Sequence, residues 1–325
     1  MRAVWLKEFG GPEALVAGDA PEPVAGPGQV LVGVAYANIT FVETQFRASG
    51  FGPYAAELPM IPGNGVGGVV TSVGAGVSPE LAGRRVVGSM GGSGGYAERA
   101  VVAADVLVEV PDGVELDAAV ALLADGRTAL SLVRAAGVGP GDRVLVEAAA
   151  GGVGTLLVQL ARTAGAVVVA AAGGARKAGL ARDLGAEVAV DYREPEWASA
   201  VRAAVGGVDV VFDGVGGTIA RSAFELLDRG GRMVSHGLAS GTWADVPAEL
   251  AAERGVTLVR PRTTPEESRA LTADALSEAA AGRLRPVIGQ CFPLERAADA
   301  HAAIQSRATV GKTLLEVSAR RPASR

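Results

Sequence analysis

The sequence predicts an α/β fold in which a doubly wound parallel sheet is inserted in a β-rich domain. The first 110 residues read as short strands cut by turns, whereas from about residue 117 long apolar helices alternate with short buried strands. Strands and helices that alternate at this spacing are typical of a doubly wound parallel sheet. A chain of 325 residues is long enough for about two domains, each with its own core.

Turn residues divide the first part of the chain into strands. The Gly and Pro residues at 26–28 and 62–63 mark two of these turns, because both residue types punctuate secondary structure. Five strands are predicted, at residues 2–6, 29–37, 68–74, 84–89 and 96–102. We expect them to form an antiparallel, barrel-like domain.

The middle of the chain carries the alternating pattern. Helices are predicted at 117–136, 153–164 and 175–184, and strands at 143–149, 166–171, 187–190, 208–212, 231–235 and 256–259. These elements define a parallel-sheet domain that we place at residues 119–258.

The last part of the chain returns to the first domain. Its pattern predicts helices at 266–281 and 295–307 and an apolar strand at 313–317. The short polar tail, 319–325, is expected to be frayed. We therefore group residues 1–118 with residues 259–325 in one domain.

Composition and charge exclude several classes of protein. Glycine is abundant (46 residues) and aromatics are only 4%, but 49% hydrophobic and 20% charged residues argue against disorder. The net charge of −5 gives no general attraction to nucleic acid or to anionic lipid. Cys291 is the sole cysteine, which excludes an intrachain disulfide and a multi-cysteine zinc site. With no apolar run of signal-peptide or membrane-span type, we expect a cytoplasmic protein without a membrane partner.

Two glycine-rich motifs resemble dinucleotide-binding turns. Residues 63–68, GNGVGG, match G-x-G-x-x-G, but the β-branched residues at 69–73 follow them. No helix N-terminus would then be available to receive a phosphate. We expect this motif to form tight turns between strands.

The second motif, AAAGGVG at 148–154, has the better context, although alanine replaces the first glycine. A strand at Arg143–Glu147 precedes it and a helix at Val153–Ala164 follows, which is the arrangement that binds a pyrophosphate. Gly151, Gly152 and Val153 would lie against the pyrophosphate, and Gly154 would let the helix pack closely on the strand. A glycine-rich turn of some other α/β protein is the alternative.

The following strand favours NADPH over NADH. It ends in AAAGG (170–174) without the carboxylate that accepts hydrogen bonds from the ribose of NAD. Glycines and cations lie there, namely Gly173, Gly174, Arg176 and Lys177, and Tyr192 and Arg193 follow the next strand. Such residues leave room for a 2′-phosphate and neutralise it. A solvated first helical turn is the alternative interpretation of Arg176 and Lys177.

Seven segments together resemble the zinc-free quinone oxidoreductase branch of the medium-chain dehydrogenase/reductase superfamily. They are MRAVWLKEFGGPE, LPMIPGNGVGGVV, GRTAL, AAAGGVGTLLVQLARTAGA, DYRE, DVVFDGVGG and GKTLLEV. The resemblance implies a Rossmann domain inserted in a GroES-like catalytic domain, NADPH with its nicotinamide at their junction, and a small-molecule substrate. It also implies a homodimer, or sometimes a tetramer.

The resemblance also bears on zinc. Where alcohol dehydrogenases of the superfamily hold catalytic zinc, this chain has Thr40, Asn64 and the neighbourhood of Asp125. Thr and Asn are poor zinc ligands, and His236 and His301 lie far apart in the sequence. We therefore expect no metal. Without a Lewis acid, reduction of a conjugated acceptor is easier than oxidation of an alcohol.

Three side chains are the candidates for the substrate side: Thr40, Tyr54 and Asn64. They would hydrogen-bond the developing oxyanion, with a proton from Tyr54 or from water. Their structural alternatives are a strand end, a half-buried aromatic and a turn residue. Thr40 and Glu43 stand where relatives carry Asn and Asp, and Gly65 where they carry an acid, so the substrate can differ from theirs.

Further candidates are expected to contact the nicotinamide end of the cofactor, because most of them follow later strands of the parallel sheet. They are Thr128, Val215, Gly216, His236, Gly237, Leu238 and Lys312. His236 is alternatively a catalytic acid, and Lys312 alternatively a surface lysine.

The sequence thus predicts an enzyme that transfers a hydride from NADPH to a quinone or an α,β-unsaturated carbonyl without zinc. An enoyl or polyketide-tailoring reductase is one alternative. A non-catalytic NADPH-binding sensor protein is the other.

Overall fold

The computed structural model describes residues 1–54 and 57–317. The chain forms two compact units, Met1–Arg127 with Pro265–Arg325, and Thr128–Thr264. The limits predicted from the sequence fall at 118/119 and 258/259. The helix Leu116–Ala136 crosses the first limit, so the change of pattern at residue 117 marks the start of this helix. The predicted tail at 319–325 lies outside the described residues.

The described residues form the following strands and helices. The strands are β1 (Arg2–Leu6), β2 (Leu15–Asp19), β3 (Gln29–Asn38), β4 (Gly65–Val73), β5 (Arg85–Ser89), β6 (Arg99–Ala103), β7 (Leu107–Glu109), β8 (Arg143–Glu147), β9 (Val167–Ala172), β10 (Val188–Asp191), β11 (Val208–Asp213), β12 (Leu227–Ser235), β13 (Thr257–Val259), β14 (Ile288–Pro293) and β15 (Lys312–Glu316). The helices are α1 (Phe41–Ser49), α2 (Leu116–Ala136), α3 (Gly152–Thr163), α4 (Ala175–Asp183), α5 (Trp197–Val205), α6 (Gly217–Leu226), α7 (Ala248–Arg254), α8 (Pro265–Ala280) and α9 (Ala297–Gln305).

The first unit is built on a sheet of order β14-β15-β3-β4-β5-β7, with β6 also paired to β3. Its core follows the period of two expected of a half-buried strand, since Val30, Val32 and Val34 of β3 are all buried. Most pairs are antiparallel, as predicted, but β14 and β15 run parallel. The parallel pair arises because α9 connects the two strands as a crossover.

The GNGVGG motif lies largely inside a strand, so the prediction of tight turns was wrong. Strand β4 begins at Gly65. At its glycines, other segments of the same chain lie too close to leave room for a Cβ. A Cβ on Gly68 would lie 1.9 Å from the Gly33 carbonyl oxygen, and one on Gly67 2.3 Å from Val120 Cγ2. These glycines serve close packing of the sheet. A strand and not a helix follows the motif, as predicted.

The second unit is a six-stranded parallel sheet of order β10-β9-β8-β11-β12-β13, which confirms the predicted doubly wound fold. Its strands β8, β9 and β11 are rich in Val and Ala and almost entirely buried, as expected where helices cover both faces. The strand order reverses between β8 and β11. The crevice at the carboxyl ends of the strands at such a point is where α/β sheets bind ligands.

Several elements escaped prediction: α1, α5, α6, α7, β2, β7 and β14. Helix α1 shows why, because its residues Phe, Val and Thr read as a strand by propensity. Its start did carry a signal, since Thr40 and Glu43 are spaced as a capping box.

Within the described residues, we find no helix with the length and apolar character needed to cross a bilayer.

Candidate active site

The first unit holds a buried polar group that we call the Glu43 cluster: Thr40, Glu43, Tyr54, Asn64, Tyr96 and His301. It starts at the N-terminus of α1, where Thr40 is the N-cap residue and Glu43 lies one turn on. Glu43 Oε2 accepts hydrogen bonds from the Thr40 backbone N–H at 2.7 Å and from Thr40 Oγ1 at 2.8 Å. The helix start therefore aims the carboxyl group back at Thr40.

The second oxygen of Glu43 ties distant segments together. Oε1 accepts from the Asn64 backbone N–H at 3.0 Å and from the Tyr96 hydroxyl at 3.2 Å. Tyr96 in turn lies 3.0 Å from His301 Nε2, and both rings are buried. Glu43 itself is only 4% exposed. Four donors thus converge on one buried carboxyl group, which is the arrangement that keeps such a group inside a protein.

Tyr54 joins this cluster beside Thr40, whose side chain opposes the rise in the pKa of the Tyr54 hydroxyl. Its ring packs edge-on against Phe46, with centroids 5.4 Å apart. Gly92 makes room for the ring, because a Cβ at this residue would lie 2.4 Å from it. The structure therefore brings Thr40, Tyr54 and Asn64 together around a residue that the sequence analysis did not choose, Glu43.

Burial sets the proton affinities of the Glu43 cluster. It raises the pKa of Tyr54 to about 12, with a further contribution from the charge of Glu43. It also raises the pKa of Glu43, against the opposing effects of the Thr40 and Asn64 hydrogen bonds and the Lys312 charge. Burial lowers the pKa of His301 to about 3, so this imidazole is neutral at pH 7. Tyr54 accordingly remains a phenol that can donate a hydrogen bond.

Lys312 lies in the first unit, in a buried ion pair with Asp125 whose atoms are 2.8 Å apart. It is only 4% exposed, so the alternative of a surface lysine was wrong. The Asp125 carboxylate neutralises the Lys312 ammonium group. In the part of the chain that the structure describes, no three His, Cys, Asp or Glu side chains are placed to hold a metal.

In the second unit, the AAAGGVG turn connects β8 to α3. Its chain is tightly folded: Gly151 N–H donates to the Ala148 carbonyl at 2.8 Å, and Ala148 has a left-handed φ of 47°. A Cβ on Gly154 would lie 2.3 Å from the same carbonyl oxygen, so only glycine allows the helix to pack there. Gly152 and Val153 form the first turn of α3. Their backbone N–H groups have no acceptor inside the helix, as an anion site requires.

The residues proposed to select NADPH lie together after β9 and β10. A Cβ on Gly173 would lie 3.3 Å from the Tyr192 hydroxyl, and one on Gly174 2.8 Å from Arg193 Nη2. Tyr192 and Arg193 therefore cover the glycine pair. Arg176 and Lys177 follow in the first turn of α4, where Arg176 is exposed and Lys177 is half-buried.

Sequence analysis missed a carboxylate in this place. Asp191, from the end of β10, accepts hydrogen bonds from Arg193 at 2.7 and 3.0 Å. Arg193 and then the Gly174 backbone N–H lower the pKa of Asp191 to about 2. The carboxylate is therefore fully ionised at pH 7 and offsets one of the nearby cations.

The loops after β11 and β12 meet at Asp213. Its backbone carbonyl accepts from the N–H groups of His236 at 2.9 Å and Gly237 at 3.3 Å, and its side chain binds the N–H groups of Val215 and Gly216. The predicted nicotinamide-side loops are therefore neighbours in the structure.

The remaining candidates of the second unit are half-buried. Leu238 is half-buried beside Gly237, and Thr128 is half-buried in α2. His236 keeps some exposed surface, but its Nε2 atom is buried without a partner among the described residues. Burial lowers its pKa to about 4, so at pH 7 His236 is neutral and a poor proton donor.

Comparison with known proteins identifies the family. Residues 26–112 match the alcohol dehydrogenase GroES-like domain, and residues 184–315 match the family described as zinc-binding dehydrogenase. A probable quinone oxidoreductase of Schizosaccharomyces pombe is 36% identical over 304 residues, 90% of each chain. The chain belongs to the quinone oxidoreductase branch of the medium-chain dehydrogenase/reductase superfamily.

Two further relatives bear on the fold and on chemistry within this branch. The crystal structure of Escherichia coli quinone oxidoreductase complexed with NADPH has a TM-score of 0.89 at 30% identity, over 97% of this chain and all of that one. A 2-haloacrylate reductase of Burkholderia is 32% identical, over 96% of this chain and 98% of its own. The likeness over the whole chain confirms the Rossmann and GroES-like fold class.

Proposed function

We propose that this member of the quinone oxidoreductase branch is an NADPH-dependent oxidoreductase that delivers a hydride to a quinone or an α,β-unsaturated carbonyl, without zinc. The observation that carries the substrate side is the Glu43 cluster, in which the Thr40 hydroxyl donates to a buried carboxyl group and the Tyr54 side chain lies beside Thr40. The names of the relatives, quinone oxidoreductase and 2-haloacrylate reductase, support an acceptor with a conjugated carbonyl.

The residues of the second unit fit a dinucleotide. The N-terminus of α3 and its glycine turn would hold the pyrophosphate, as helix N-termini hold anions. Arg176, Lys177, Tyr192 and Arg193 would surround a 2′-phosphate, and the loops joined at Asp213 would lie against the nicotinamide. When bound, NADPH supplies the hydride.

On the substrate side, Tyr54 would donate a hydrogen bond to the oxygen that gains negative charge, since its raised pKa keeps the hydroxyl protonated. Tyr54 would also deliver the proton that the reduced product needs. Thr40 donates its hydroxyl hydrogen to Glu43, so the proton that Tyr54 gives up would be replaced from solvent water. Asn64 would act through its backbone, which fixes the position of the Glu43 carboxyl group.

The absence of zinc from the reaction is supported by the side chains at the matching positions. Thr40 and Asn64 are poor ligands, and Asp125 is engaged with Lys312. The resemblance also favours a homodimer, or sometimes a tetramer, and sedimentation of the purified protein would distinguish them. The single cysteine favours the cytoplasm.

A substrate panel tests the proposal. The wild-type protein is mixed with NADPH and 1,4-benzoquinone, 9,10-phenanthrenequinone, enones or enoyl thioesters, with and without a chelator. We expect oxidation of NADPH with at least one class, unchanged by the chelator. Turnover of simple alcohols that the chelator abolishes would contradict the proposal. NADPH binding without any turnover would instead indicate the sensor alternative, and turnover of enoyl thioesters alone the enoyl reductase.

Fluorescence titration tests the cofactor. We expect NADPH to bind about tenfold tighter than NADH or better, because charge-assisted hydrogen bonds to a 2′-phosphate contribute roughly 1.4 kcal/mol or more. Equal affinities would contradict the assignment of the cationic residues.

A further inference from the structure

Two buried carboxyl groups face each other in the second unit. Glu147 ends β8 and Asp213 ends β11, and these strands pair in parallel with Phe212 opposite Val146. The next residues in this register are therefore Asp213 and Glu147. Both side chains have no exposed surface. Their position is at the switch point of the sheet, directly before the glycine turn.

The two carboxyl groups share one backbone donor. The Val215 N–H lies 3.2 Å from Glu147 Oε2 and 3.1 Å from Asp213 Oδ1, and Asp213 Oδ1 also accepts from the Gly216 N–H at 2.8 Å. The other two oxygens, Glu147 Oε1 and Asp213 Oδ2, are buried without any partner among the described residues. Two ionised groups in this position would repel each other at low dielectric, and each would leave an oxygen unsatisfied.

Among the described residues, no cation contributes to the pKa of Glu147. His236 is the titratable group on the neighbouring strand end, and it is neutral at pH 7. Arg143, which pairs with Asp209 and Asp228, lies at the opposite ends of the same strands. A proton on one carboxyl group would instead satisfy both oxygens at once. Burial and then the charge of Asp213 raise the pKa of Glu147 well above its ordinary value, which is consistent with the geometry.

We propose that Glu147 holds a proton that it shares with Asp213, and that this pair positions the Val215–Gly216 loop for the cofactor. The cofactor part rests on the proposed function. The Asp213 side chain accepts hydrogen bonds from the Val215 and Gly216 N–H groups, and Glu147 holds Asp213 in place from β8. Because the Asp213 carbonyl also binds His236 and Gly237, the pair connects the strand ends of β8, β11 and β12. Glu147 is thus a positioning residue.

The shared proton predicts a dependence on pH. When the pH rises far enough to remove it, two charges face each other and the Val215–Gly216 loop shifts away. NADPH affinity of the wild type should then fall with rising pH. In Glu147→Gln the amide donates to Asp213 at every pH, so this fall should disappear. Glu147→Ala leaves Asp213 Oδ2 without a donor and should weaken NADPH binding about tenfold, since a buried unsatisfied acceptor costs roughly 1–3 kcal/mol.

Infrared spectroscopy of the full-length protein tests the proton itself. We expect the carbonyl stretch of a buried carboxylic acid at neutral pH in the wild type, its loss in Glu147→Gln, and its persistence in the matched control Glu187→Gln, whose side chain is exposed. The absence of this band in the wild type, or its persistence in Glu147→Gln, would overturn the proposal.

Fluorescence titration with NADPH between neutral and alkaline pH tests the positioning role. An equal fall of affinity in the wild type and Glu147→Gln would overturn it, and recovery in Glu147→Gln of the affinity lost in Glu147→Ala would support it. A wild type that binds no NADPH would refute the proposed function and the positioning role, while the infrared band would still report on the shared proton.

Discussion

Glu43 in the first unit and Glu147 in the second are both buried glutamates, but their surroundings differ. Four donors converge on Glu43: the Thr40 N–H and hydroxyl, the Asn64 N–H and the Tyr96 hydroxyl. Glu147 accepts one backbone N–H and faces a second carboxyl group. The first environment supplies the hydrogen bonds of an ionised group, and the second those of a protonated one. Equal burial therefore leads to different chemistry, because the partners decide which form is satisfied.

Substitution by glutamine should lower the free energy of unfolding much more at Glu43 than at Glu147. Glu43→Gln replaces one of two accepting oxygens by a donor that faces other donors, and we expect the free energy of unfolding to fall by about 3 kcal/mol. Glu147→Gln supplies the donor that Asp213 needs, so its loss should be about 1 kcal/mol or less. Denaturant unfolding monitored by circular dichroism measures both. Equal losses would show that burial alone decides.

Removing a single donor from Glu43 should have a smaller effect. Tyr96→Phe takes away the hydroxyl between Glu43 and His301, and both are left one hydrogen bond short. We expect a loss of about 1–2 kcal/mol in the same unfolding experiment. A neutral outcome would mean that Tyr96 contributes packing only.

The smallest expected effect is the pH dependence that Glu147 gives to the free energy of unfolding. A raised pKa in the folded state stabilises the protein below the ordinary pKa of glutamate and loses this contribution as the pH rises through the folded value. The wild type should therefore lose stability relative to Glu147→Gln with rising pH, by at most about 1.4 kcal/mol per pH unit. Unfolding curves collected at several pH values test this, and parallel curves would contradict it.

The fold and the cofactor side were readable from the sequence because their signals are local. The AAAGGVG turn is bounded by its own strand and helix, and Gly173, Gly174 and Tyr192 directly follow strands. Parallel strand ends meet at one edge of a sheet, so sequence order alone brought these residues together.

The centres of both polar groups could not be read in this way. Glu43 depends on Tyr96, 53 residues away, and Tyr96 on His301, 205 residues further along the chain. Glu147 and Asp213 do end predicted strands, but their burial and the contact of Glu147 with the Val215 N–H, 68 residues away, have no local signal. The one local signal in the Glu43 cluster was the capping-box spacing of Thr40 and Glu43. This spacing predicts the start of a helix, but it does not predict a functional site.

The most direct test of the account compares two tyrosines of the first unit. Tyr54→Phe removes the hydroxyl proposed to donate to the substrate, and Tyr36→Phe removes one on β3 outside the Glu43 cluster. With NADPH and the best acceptor of the panel, we expect kcat/KM to fall about a hundredfold in Tyr54→Phe, as for loss of a general acid, and to stay unchanged in Tyr36→Phe. Equal rates for the wild type and both variants would contradict the assignment of the Glu43 cluster as the substrate side.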